Sequence, residues 1–398
     1  MNLSSALTYL NGNSGRFQDE LVELLRIPSI SHDSVYKMDM GKAAAWIANK
    51  LKSIGMINVE ILPTEGHPVV YGEWLNADAS APTVLIYGHY DVQSPEPLDD
   101  WSSHPFEPEI RDENLYARGA SDMKGQILAA VNAVESMLKT DNLQLNIKFL
   151  IEGEEEIGSK NLNDFLIANR EKLSADFSLN TDAGGMPDVD TPAICYSLRG
   201  GARFQLTIFG PEQDVHSGKY GGVIQNPIHV LSGLIADLHD EHGRITLPGL
   251  YDKVRKIDEE EHAELARLPF DDAFILEKSG APALWGEPEY IPAERIGARP
   301  ALDVVMFKAG QPKFAIPAKA SALFVFRLVP DQDPDEVHGQ FRQYLETHVP
   351  NTVRWDLQFI NGSPGIIVDR ETPSVLAMKS ALEKAFGNTP IFQRVGGG

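Results

Sequence analysis

Apolar positions in the first half of the chain fall into two alternating kinds of run. Phe17 to Leu25 and Gly41 to Ile54 carry apolar side chains at helical spacing, and Gly55 closes the second run. Gly125 to Leu138 does so more strongly, with Ile127, Leu128, Val131, Val134, Met137 and Leu138 along one stripe. Between them lie short apolar runs: Thr83 to Tyr87, Asn146 to Ile151 and Phe177 to Asn180. The continuous run of Thr83 to Tyr87 suits a strand buried on both faces, and the other two are read as further buried strands. Helices alternating with such strands predict βαβ units and a mixed, mostly parallel sheet flanked by helices.

The pattern changes after Leu198. Ala202 to Ile208 and Ser321 to Leu328 alternate apolar and polar residues, so each predicts a strand with one covered face. Helices are expected over Pro227 to His239 and from Asp333-Pro334 to His348, a strand over Thr352 to Ile360, and a last helix over Pro373 to Phe386. Two such α/β repeats predict a smaller α+β domain with its helices on one face. Gly362-Ser363-Pro364-Gly365 reads as a linker, and residues 243–300 show no clear period.

Composition narrows the function classes. At 398 residues the chain is long enough for two domains. Its formal net charge of −22 argues against a nucleic-acid partner. No apolar run is long enough to span a bilayer, and the start of the chain lacks the basic and apolar regions of a signal peptide. Cys195 is the single cysteine, so an intrachain disulfide and a thiolate metal cluster are both excluded. A cytoplasmic location is the expectation.

One stretch resists a bland reading. Phe149-Leu150-Ile151 runs straight into Glu152-Gly153-Glu154-Glu155-Glu156, so a buried strand delivers four carboxylates within five residues. By itself this is most simply a solvated charge run. Yet two other strands also end in candidate ligands: Thr83 to Tyr87 leads to His89 and Asp91, and Phe177 to Asn180 leads to Asp182. Asp122, just ahead of the helix at Gly125, could be a fourth, although an aspartate there is more often an N-cap. Ligand sites in open α/β sheets lie beyond the carboxyl ends of strands. One histidine and several carboxylates without a thiol suit Zn2+ or Mn2+.

The segments GHYDVQ (Gly88–Gln93), RGASDMKG (Arg118–Gly125), EGEEEIGS (Glu152–Ser159) and TDAGG (Thr181–Gly185) stand in the order found in the M20 metallopeptidases. The chain most resembles their carnosinase-like dipeptidase branch, also through DVHSGKYGG (Asp214–Gly222) and FRLVPDQDP (Phe326–Pro334). The resemblance implies an α/β catalytic domain over 1–198, continued by 369–398. An inserted ferredoxin-like lid and dimerisation domain would span 199–368. It implies two divalent metal ions per subunit, Zn2+ foremost with Mn2+ or Co2+ as alternatives. Asp122 would bridge the ions, His89 and Asp182 would complete one, and Glu156 would ligate the other. Asp91 would orient the His89 imidazole, and Glu155 would be the general base. Glu152 and Glu154 fall outside this set and are expected to be solvated. In the lid, His216 would cross a dimer interface to stabilise the oxyanion, helped by Asn226, and Arg327 would hold the substrate carboxylate.

Two departures qualify the resemblance. The family takes its last metal ligand from a C-terminal histidine, whereas this chain has none after His348, and Gly398 stands where the serine of the relatives' Gly-Gly-Ser-Ile-Pro would be. The chain therefore reads as truncated relative to the family, with weak metal binding or loss of activity expected. Phe314 stands where relatives often carry a hydroxyl residue, which bears on substrate preference. The expected reaction is hydrolysis of the amide bond of dipeptides or short peptides. The alternatives are deacylation or desuccinylation of N-acyl amino acids, and a catalytically impaired binding protein. An acidic Ca2+ binder is disfavoured, since no loop of the EF-hand type occurs.

Overall fold

The computed structural model describes residues 3–78, 80–182 and 191–397. The chain divides into two compact units, residues 1–183 and 184–398.

The first unit opens with α1 (Leu3–Gly12), α2 (Ser14–Leu25) and α3 (Lys37–Ile54), followed by β1 (Ile57–Leu62), β2 (Val69–Trp74) and β3 (Thr83–His89). A hairpin of β4 (Glu109–Arg111) and β5 (Asn114–Tyr116) precedes α4 (Lys124–Leu138) and β6 (Asn146–Glu152). Then come α5 (Leu162–Ala168), α6 (Arg170–Leu173) and β7 (Phe177–Asn180). The sheet order is β1-β2-β6-β3-β7, and only β2 runs against its neighbours. The mostly parallel sheet follows from the unbroken apolar runs. On β6, Phe149 and Ile151 pack toward α3 and α4, while Leu150 packs the other way, with Phe165 and Leu173. Both faces of β6 are covered, so it carries little polar alternation. β7, expected to be buried, is instead an edge strand that alternates half-buried Phe177 and Leu179 with exposed Ser178 and Asn180. β1 and β2 escaped the sequence reading. β1 is a half-exposed edge strand, and its mixed pattern carries little period.

Charged groups are buried beneath this sheet's helices. Glu135 on α4 lies between Lys50 Nζ, at 2.7 Å, and Arg16 Nη2, at 2.5 Å, and accepts a hydrogen bond from Tyr9 Oη. Burial opposes its ionisation, but Arg16, Lys50 and Tyr9 outweigh burial and hold its carboxyl below the ordinary glutamate value of 4.5. Glu135→Gln strands the buried Lys50 ammonium with a single remaining carboxylate, Glu20. The expected loss is about 3 kcal/mol at pH 7 by urea unfolding. The folded pKa is depressed, so the carboxylate's contribution is complete above the unfolded value. It fades as pH falls through the folded one. The gap between wild type and variant should therefore narrow on acidification below the ordinary glutamate value. A constant gap down to acid unfolding counts against the network.

The second unit holds β8 (Ala193–Leu198), β9 (Gly200–Phe209), β10 (Val215–His216), α7 (Ser217–Tyr220) and α8 (Pro227–Asp237). The stretch without period contains α9 (Glu259–Leu265), α10 (Asp272–Ser279) and α11 (Pro292–Gly297). There follow β11 (Ala301–Ala309), β12 (Ala315–Ile316), β13 (Lys319–Leu328), α12 (Pro334–His348), β14 (Arg354–Ser363), β15 (Ile366–Ile367), α13 (Pro373–Phe386) and β16 (Ile391–Val395). The antiparallel order β11-β13-β9-β14, with α8 and α12 on one face, is the ferredoxin-like arrangement. Phe204, Phe324, Phe326 and Phe341 fill its core. A separate sheet, β15-β8-β16, pairs β8 with β16 in parallel. Arg394 on β16 ion-pairs with Glu261 on α9, which also accepts the Tyr196 hydroxyl.

Candidate active site

Three parallel strands, β6, β3 and β7, lie side by side and end together. β3 ends in His89, which is fully buried. The chain stays extended beyond it, so successive side chains point opposite ways. Tyr90 and Val92 are buried in the core. His89, Asp91 and Gln93 take the other side.

His89 Nδ1 faces Asp91, 3.1 Å from its backbone oxygen and 3.3 Å from Oδ1. Its Nε2 is buried without the geometry of a hydrogen bond, yet carboxylates surround it. Asp122 Oδ1 stands at 3.1 Å, Asp182 Oδ2 at 3.7 Å and Glu155 Oε2 at 3.9 Å. Asp182 follows β7 directly. Asp122 lies in the turn before α4, where Met123 holds the N-cap position without a side-chain cap, so capping does not account for Asp122. The three residues of TDAGG after Asp182 lie outside the described residues.

The acidic run splits into two kinds of residue. Glu155 and Glu156 begin a short 3-10 turn that ends at Gly158, whose φ of 85° an L side chain rarely adopts. Asp91 pins this turn: its Oδ1 and Oδ2 accept the Glu155 and Glu156 backbone N–H groups, at 3.3 and 3.1 Å. Glu156 also meets Gln93, which donates its side-chain amide to Oε2 at 2.8 Å and its backbone N–H to Oε1 at 3.2 Å. Glu152 and Glu154, expected to be solvated, are instead buried, at 2 % and 5 % exposure. Hydrogen bonds make this tolerable. Glu152 Oε1 accepts the hydroxyls of Tyr87 (2.6 Å) and Ser159 (2.9 Å), and Glu154 accepts the Asn161 amide and the His67 backbone N–H. Gly153 stands between them because a Cβ there would come 2.4 Å from the Tyr90 ring.

Electrostatics expose the cluster's need for positive charge. Burial pushes Glu155 up to about 7, and Glu156, Asp182 and Asp91 add to this against the pull of His89. Burial likewise raises Glu156 and Asp182. Burial would lower His89, but Asp122, Asp91 and Glu155 overrule it and raise the imidazole to about 11. One ligand atom each from His89, Asp122 and Asp182 lies within 4.8 Å of the others. A buried imidazole nitrogen without a hydrogen bond, ringed by carboxylates and oriented from behind by Asp91, is a donor set that fits a divalent cation.

The remaining site residues named from the sequence belong to the second unit. His216 ends β10 and is exposed; its Nδ1 accepts the Gly218 backbone N–H at 3.0 Å. Asn226 is the N-cap of α8, its Oδ1 accepting from Ile228 N at 2.9 Å. Arg327 is half-buried on β13, beside Arg199, in a sheet register opposite Gly201. Phe314 is 91 % exposed. Sequence reasoning missed Gln93. Its signal was present in His89-x-Asp91-x-Gln93, the every-other-residue spacing of an extended segment.

The sequence pattern of peptidase family M20/M25/M40 matches residues 85–398. A beta-Ala-His dipeptidase from Rattus norvegicus is 29 % identical over 402 residues, covering 94 % of this chain and 81 % of that protein. The crystal structure of an M20 family metallo-carboxypeptidase from Sulfolobus solfataricus superposes with a TM-score of 0.84 at 30 % identity, covering 96 % of this chain and 86 % of the other. That of human carnosine dipeptidase 1 does so with a TM-score of 0.79 at 27 % identity, over 100 % and 88 %. A cation-ready cluster at the ends of parallel strands and a match over most of the chain lead to one conclusion: the protein belongs to peptidase family M20/M25/M40 and is a metallopeptidase.

Proposed function

We propose that the protein hydrolyses the amide bond of dipeptides or short peptides, with Glu155 as general base. The observation that carries this reading is the convergence of Asp122, Asp182 and Glu155 within 4 Å of the buried His89 Nε2. His89, Asp122 and Asp182 would hold one divalent ion, and Asp122 with Glu156 a second, Zn2+ foremost. Bound there, the ions would supply Lewis acidity, making water more acidic and polarising the scissile carbonyl. Glu155 takes a proton from the attacking water and delivers it to the departing amine. Asp91 acts on both partners, orienting His89 and fixing the backbone of Glu155.

His216 serves as oxyanion donor. Because its Nδ1 accepts a hydrogen bond, a neutral ring carries its proton on Nε2, which leaves that nitrogen free to donate. Asn226 supports this residue, and Arg327 binds the substrate carboxylate. We assign residues 1–198 with 369–398 to the catalytic domain and 199–368 to the lid. The lid would form a homodimer in which each copy lends His216 to the other. A cytoplasmic setting accords with a single cysteine, and no helix among the described residues is long and apolar enough to cross a membrane.

The test is a panel of dipeptides, tripeptides and N-acyl amino acids, assayed with added Zn2+ or Mn2+. Turnover of dipeptides above the N-acyl compounds supports the reading. A preference for the N-acyl compounds replaces the substrate class, and no turnover of any member, by this chain or by one extended with a segment that supplies the C-terminal histidine, overturns it. Arg327→Ala should raise KM for dipeptides by about tenfold to a hundredfold, with a smaller change in kcat. An unchanged KM removes Arg327 from the site.

A further inference from the structure

Gln93 has no part in the reading above, yet it makes three hydrogen bonds to one proposed ligand. Its Nε2 donates to Glu156 Oε2 at 2.8 Å and to the Glu156 backbone oxygen at 3.1 Å. Its backbone N–H donates to Oε1 at 3.2 Å. Both carboxylate oxygens are therefore held, each from one side. A carboxylate oxygen has two lone-pair sites, so each oxygen keeps one for another partner.

The type of group is informative. A lysine or arginine in this place would neutralise Glu156 and compete with a cation. A glutamate would repel it. A carboxamide orients the carboxylate and leaves its charge intact, as the partners of ligating carboxylates do. This support comes from a rigid place. Val92, next to Gln93, is fully buried and its N–H donates to Ser29 O at 2.9 Å. Gln93 thus hangs from an anchored segment that also carries His89 and Asp91.

We propose that Gln93 is a positioning residue for the second metal ion: it presents the Glu156 carboxylate in the orientation that ligates. This rests on the reading that Glu156 is a ligand. One extended segment then serves three tasks through alternate residues. His89 binds, Asp91 orients His89 and fixes the 155–156 backbone, and Gln93 aims the Glu156 side chain.

The experiment is calorimetric titration of the chelator-stripped full chain with Zn2+, comparing wild type, Gln93→Leu, Gln93→Ala and Glu156→Gln, with thermal unfolding of each metal-free form. The wild type should take up two ions, one tighter and one weaker. Gln93→Leu should keep the first affinity and weaken the second by about tenfold to a hundredfold. Glu156→Gln should weaken the second further still. The melting temperatures of the metal-free Gln93 variants should stay at the wild-type value, since the side chain is exposed. A merely structural role would lower that temperature and both affinities together, and this result overturns the proposal. So does a wild-type second affinity in both Gln93 variants while Glu156→Gln loses it, which leaves the ligand assignment standing. A single ion in the wild type, or two at full affinity in Glu156→Gln, overturns the ligand assignment and the proposal with it.

Discussion

Glu155→Gln lowers kcat for dipeptide hydrolysis by about a hundredfold or more, with little change in KM or metal content. The amide keeps the shape and the backbone hydrogen bond to Asp91 but cannot take up a proton at neutral pH. The size of the effect follows from the placement of Glu155. Its Oε2 stands 3.9 Å from His89 Nε2, beside the cluster of proposed ligands, within reach of a water held there. Steady-state kinetics with metal analysis of the same samples check this. A variant that retains wild-type kcat assigns the base elsewhere. One that loses its metal instead makes Glu155 a ligand.

Asp122→Ala has a different signature, because it removes an oxygen donor from the centre of the cluster. Asp122 Oδ1 is the carboxylate oxygen nearest His89 Nε2, at 3.1 Å, and its carboxyl is held below the usual range, chiefly by its closeness to His89. Its loss should weaken metal binding by more than about a hundredfold, beyond what removing a residue that only orients a ligand costs. Hydrolysis should fall to background at metal concentrations that saturate the wild type. The measurements are metal content after dialysis and rate against added Zn2+. If excess metal restores the wild-type rate fully, Asp122 contributes affinity alone. If metal content is unchanged, it is not a ligand.

The residues of the two predictions were legible in the chain for a definite reason. Strands buried on both faces are unbroken apolar runs, and in a parallel sheet the functional groups must come at their carboxyl ends. His89, Asp182 and the acidic run all occupy such places. Asp122 was less clear, since an aspartate ahead of a helix is most often a cap. Only the backbone, with Met123 in the cap position, separates the two roles.

The acidic run shows where reading along the chain stopped. Glu152, Glu154, Glu155 and Glu156 look alike in sequence, and the first two were expected in solvent. Their burial depends on donors far away along the chain, the Tyr87 hydroxyl for Glu152 and the His67 backbone N–H for Glu154, while half-buried Glu156 is held by Asp91 at its backbone and by Gln93 at its carboxylate. The long helices, the central strands of the first sheet and the two α/β repeats of the second unit were legible from hydrophobic period, a local property of the chain, while β1, β2, β11 and the helices within residues 243–300 were not. Which carboxylates are buried, which are clamped and which are left facing a cation was decided by the tertiary structure alone. The cost of burying a charge is set by the partners that surround it, and folding brings those partners from distant positions.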